Sequence, residues 1–135
     1  MKSIVILTSN SLRHDYLRIM FGLNPEINVL RSYIEVPKNI ETQPDLSEIE
    51  KNHFLTRSKT EIDFFSDIVS FSKDSSNPVS VEKNNINDQS YINEVKKLNP
   101  DLIITFGCCI IRENFLEAFK NKIINVHLGI SPYYL

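Results

Sequence analysis

Along this chain, short β-branched runs alternate with stretches of helical period. Lys2 to Thr8 is near-continuously apolar and β-branched, the pattern of a parallel strand buried on both faces. Leu12 to Leu23 shifts to a helical spacing that predicts an inner face of Leu12, Tyr16, Ile19 and Met20, with Gly22 and Pro25 punctuating its end. Ser9, Asn10 and Ser11 between them supply a capping loop. Asn28 to Val36 reads as a second strand closed by Pro37, and Lys38 to Leu46 as a polar, turn-rich loop outside the sheet. Ser47 to Phe71 follows as a long helical region. A break is expected near Thr56, and the apolar stripe is Phe54, Ile62, Phe65, Ile68 and Val69.

The second half keeps the alternation. A Ser/Asn-rich break, Lys73 to Asn77, precedes Pro78 and a short strand at Val79 to Val81, and Glu82 to Ile86 is a polar loop. Asn87 reads as an N-cap, with Asp88 in the first turn where the helix dipole favours an acid. Tyr91, Ile92, Val95 and Leu98 form the buried face of that helix, and Asn99-Pro100 stops it. Asp101 to Phe106 is the central buried strand, and Gly107 lets the backbone turn tightly at its end. After Cys108 to Ile111, a helix from Arg112 to Lys120 turns Phe115 and Phe119 inward, and Asn121-Lys122 leads into a last strand, Ile123 to His127. The predicted fold is α/β: a doubly wound, mostly parallel sheet with helices on both faces, in one domain without internal repeats.

Composition narrows the function classes. Hydrophobic content of 41% and charged content of 24% are ordinary for a soluble globular chain of 135 residues. A formal net charge of -2 supplies no basic field for direct contact with nucleic acid. The run Ile4 to Leu7 is too short for a signal-peptide core, and no stretch approaches membrane-spanning length. Cys108 and Cys109 are adjacent, a poor geometry for a disulfide, so a reduced cytoplasmic setting is expected. The loop after the first strand lacks Gly-x-Gly-x-x-Gly, which argues against a dinucleotide site but leaves room for a phosphate or hydroxyl ligand at the helix N-terminus.

Candidate chemistry gathers in the last strand. Asn125 and His127 are two apart, so both side chains leave one face of the strand near its carboxyl end, where ligands bind in open α/β sheets. An amide donor beside a group that titrates near neutrality suits a reaction building charge on a carbonyl oxygen. The same spacing also fits a polar strand end satisfied by loop backbone. His53, Arg57 and Glu61 recur at helical spacing and read as a solvated charge ladder rather than metal ligands. Neither cysteine has a visible base or positive field beside it, so both read as inert buried thiols.

Asn125-Val126-His127, the turn through Gly129 and Ser131-Pro132, and the two tyrosines after it resemble the signature of the folate-dependent formyltransferases. That family includes the glycinamide ribonucleotide, methionyl-tRNA and sugar-amine formyltransferases. The likeness also runs through Asn99 to Gly107, while Leu128-Gly129 stands where Pro-Ser often follows the histidine. The resemblance implies a Rossmann-like domain that transfers the formyl group of formyl-tetrahydrofolate to a small-molecule amine acceptor, without a metal. It assigns Asn125 and His127 to the oxyanion and the loop Phe106, Gly107, Cys108, Cys109 and Ile110 to the pterin pocket. It turns the loop after the first strand toward the acceptor, making Ser9, Asn10 and Arg13 candidate contacts, although capping and surface placement also account for these three. The family pairs its histidine with a downstream aspartate, which would lie past Leu135. The expectation is therefore a domain truncated before that aspartate, inactive alone, and prone to self-association through the open apolar edge of Ile123 to His127. The other reading is a non-catalytic α/β ligand-binding or assembly module.

Overall fold

The computed structural model describes residues 1–37 and 47–127. The expectations for Lys38 to Leu46, and for the turn through Gly129, Ser131-Pro132 and the tyrosines, lie outside these residues. In chain order the elements are β1 (Lys2–Thr8), α1 (Leu12–Leu23), β2 (Ile27–Val36), α2 (Glu48–Phe71), β3 (Pro78–Glu82), a 3-10 turn (Asn85–Asn87), α3 (Gln89–Leu98), β4 (Leu102–Phe106), α4 (Glu113–Ala118) and β5 (Ile123–Val126). The strands form one sheet in the order β3-β2-β1-β4-β5, and every pairing is parallel.

Period-two alternation in β1 sorts the two layers. Ile4 and Ile6 join Val29 and Ile104 against Leu17 and Phe21 of α1. Val5 and Leu7 point the other way, into a larger core with Tyr33, Val81, Ile92, Val95, Ile103, Phe115 and Phe119 contributed by β2, β3, β4, α3 and α4. Helices therefore cover both faces, as the β-branched runs require. The chain winds outward from β1 through β2 to β3, then returns to β4 beside β1 and continues to β5. That reversal places a topological switch point between the carboxyl ends of β1 and β4, the position where open α/β sheets bind ligands.

The structure corrects the helix phases. Ile19 is buried as expected, but Met20 is 43% exposed, and the other fully buried side chains of α1 are His14 and Arg18. Two polar side chains on a buried face disguise the phase, because each finds its partners inside. Arg18 donates to Thr8 Oγ1 at 3.1 Å and pairs with Asp15 and Asp74, so β1, α1 and the segment before β3 are pinned together. The helix α2 runs unbroken through Thr56, with Ser47 as its cap accepting from the Glu50 N–H. None of the stripe expected on α2 is fully buried, and its packing partner is α1 rather than the sheet, through Phe65 on Tyr16 with ring centroids 4.6 Å apart. Asn87 is not the cap of α3. Asp88 takes that place, and Asn87 is buried at the end of the 3-10 turn.

Candidate active site

At the switch point a cavity of about 290 Å³ opens over the carboxyl ends of the strands, lined by Ser9, Asn10, Glu35, Pro37, Lys83, Gly107, Cys108 and Cys109. Its volume is near the lower end of small-molecule sites, roughly 300 Å³, and fits one ring system. Ser9 and Asn10 from the loop after β1 thus share a wall with Gly107, Cys108 and Cys109 from the loop after β4. The other expected contacts fall elsewhere. Phe106 lies buried below the cavity, Ile110 is 87% exposed, and Arg13 pairs at 2.5 Å with Glu61 of α2. Glu61 also faces Arg57 at 3.8 Å, so the expected solvated ladder is in part a bridge between two helices.

Asn125 and His127 do not line this cavity, because β4 lies between. Their place is nonetheless defined by the β4 register, in which Asn125 is opposite Thr105 and Val126 opposite Phe106. The buried Thr105 hydroxyl donates to Asn125 Oδ1 at 2.9 Å. With its oxygen occupied, Asn125 presents its Nδ2 protons as the donor end. His127 follows at the mouth of the strand, exposed.

Sequence reasoning missed His14, Glu35 and Thr105. His14 is 1% exposed and stacks edge-on against Phe106 with centroids 4.7 Å apart. Its Nδ1 accepts from the Ser11 N–H at 3.2 Å, the return bond of a capping box in which glutamate or glutamine is usual. The proton is thereby placed on Nε2, which is buried without a partner. Burial, together with the Arg13 and Arg18 cations, holds His14 down at about 4, so the ring is neutral at physiological pH. The ring also explains Gly107. That residue adopts φ +66, and a Cβ there would stand 2.3 Å from His14 Nε2.

Glu35 follows Tyr33 on the α3/α4 side of β2, 5% exposed, with one oxygen accepting from the Asn84 N–H at 2.9 Å and the other from the Cys109 N–H at 2.5 Å. A lone acid inside a β-branched strand was the signal available for it. Burial first, then the Glu35 charge at Cys108 and a hydrogen bond with Glu35 at Cys109, push both thiols up to about 12, so Cys108 and Cys109 are protonated and poorly nucleophilic.

Parallel strands in the order 3-2-1-4-5, with helices on both faces and a polar cavity at the switch point, define a doubly wound α/β fold. Within that class the chain belongs to the formyl transferase family, whose sequence profile matches residues 48–135. A stretch of 51 residues, 37% of this chain, is 45% identical to the methionyl-tRNA formyltransferase of Finegoldia magna. That match spans 16% of the relative's length. No helix among the described residues is long and apolar enough to cross a membrane.

Proposed function

We propose that this chain carries the formyl-donor site of a formyl-tetrahydrofolate-dependent transfer to an amine. The observation behind this reading is the shared cavity: Ser9 and Asn10 on one side, Gly107 to Cys109 on the other, at the switch point of a formyl transferase fold. Its size suits the flat pterin head, and Gly107 contributes backbone to its wall. Ser9 and Asn10 then face the acceptor. In the reaction the amine nitrogen bonds to the formyl carbon, and the carbonyl π electrons move onto oxygen. Asn125 and His127 lie across the end of β4 from the cavity, so the formyl group must project from the seated ring over that strand end. There the Asn125 Nδ2 protons, left as the donor end by the Thr105 bond to Oδ1, stabilise the oxyanion. His127 accepts the proton that the amine loses, and a proton reaches the folate nitrogen as the carbon–nitrogen bond to it breaks.

Titration calorimetry with 5-formyltetrahydrofolate, a stable reduced folate, tests this reading. Saturable binding is expected, weakened by a bulky side chain at the cavity wall in Asn10→Trp and retained in Asn125→Ala. A folded protein that takes up no reduced folate at millimolar concentration contradicts it.

A further inference from the structure

The loop after β4 leaves the sheet at Gly107, and its backbone is held by two buried side chains. Glu35, from the end of β2, accepts the Cys109 N–H at 2.5 Å. Asn87, from the 3-10 turn, donates from Nδ2 to the Ile110 carbonyl at 3.1 Å and accepts the Arg112 N–H on Oδ1 at 2.8 Å. A primary amide carries the donor and acceptor of a peptide group, so Asn87 bonds positions 110 and 112 as a neighbouring strand would. Glu35 ties the same loop to Asn84, and the Asn114 amide anchors Asn87 by its own carbonyl at 2.8 Å.

We propose that Glu35 and Asn87 are positioning residues for the donor, holding the backbone from Cys109 to Arg112 so that the cavity wall at Cys108 and Cys109 is already in its binding shape when the ligand arrives. The inference rests on the functional reading above. Glu35 itself lines the cavity, so the brace and the ligand surface share a wall. A loop ordered before binding spares the ligand the ordering cost, which otherwise appears as lost affinity. Neither residue needs to touch the reacting carbon.

The test combines residue-resolved amide exchange of the ligand-free protein with titration of 5-formyltetrahydrofolate. In Asn87→Ala the Arg112 amide should exchange at least tenfold faster. In Glu35→Gln the same should hold for Cys109 or Asn84, whichever N–H meets the new NH2 group. Amides of Ile6 and Ile103 in the core should keep their parent rates, which separates a local brace from general destabilisation. Folate affinity should fall roughly tenfold in both variants, the scale of ordering about one loop residue at the moment of binding. Loop amides at parent rates overturn the brace whatever the titration gives. Faster loop exchange with unchanged folate affinity overturns the positioning role. A folded parent that binds no reduced folate overturns the functional reading and this role with it.

Discussion

Replacing His14 by Gln tests the buried neutral imidazole under the cavity. Glutamine is the ordinary partner in a capping box, so its amide oxygen can still accept from the Ser11 N–H, but it does not titrate. In the parent, His14 is held at about 4 against 6.5 when unfolded, so below neutrality the unfolded chain binds the extra proton first. Stability therefore rises with pH across this window. The term is complete above about 6.5 and is lost as pH falls toward 4. At about 1.4 kcal/mol per tenfold change in proton affinity, the full term is about 3 kcal/mol, and about 2 kcal/mol of it is gone by about pH 5. Urea unfolding of both proteins at pH 7.5 and pH 5 reads the difference, since every other group titrates alike in the two. The parent should lose about 2 kcal/mol more than His14→Gln between those pH values. Parallel losses would refute the reasoning, because they mean the imidazole titrates as it does in water.

Three other outcomes follow from the same geometry. Gly107→Ala places a Cβ 2.3 Å from His14 Nε2 at a positive φ, so it should cost at least ~2 kcal/mol in thermal unfolding, and less in a His14→Ala background. Arg18→Met leaves the buried Thr8 hydroxyl and the Asp74 carboxylate without their cation and should destabilise by about 3 kcal/mol, measured in urea. Cys108 and Cys109, held up to about 12, should react with a disulfide reagent at pH 8 at least ~100-fold more slowly in the native protein than in denaturant.

The strands and their parallel pairing were legible because β-branched runs such as Ile4 to Leu7 can only be buried on both faces. Helix phases were less so. The inner face of α1 holds His14 and Arg18, and no periodicity of apolar residues reports a histidine that caps its own helix or an arginine neutralised by Asp15 and Asp74. In α2 the reverse occurred: apolar residues at helical spacing suggested a core stripe, yet that helix lies on α1 and leaves Phe54, Ile62 and Ile68 of the stripe exposed. At the site, Gly107 was readable as a strand-end turn, but its reason was not, because His14 is remote in sequence and adjacent only in the fold. Asn87 illustrates the same limit. A helix cap and a loop brace use the same side chain, and only tertiary placement distinguishes them.

The most direct measurement is a titration of the isotope-labelled chain with 5-formyltetrahydrofolate, followed by amide chemical shifts. If the donor occupies the switch-point cavity, the backbone signals of Gly107, Cys108 and Cys109 and the Asn125 side-chain amide should move together along one saturation curve. Signals of the outer face of α2 should stay in place. Shifts confined to α2, or none at Gly107 to Cys109 at saturating ligand, would contradict the assignment of this cavity to the formyl donor.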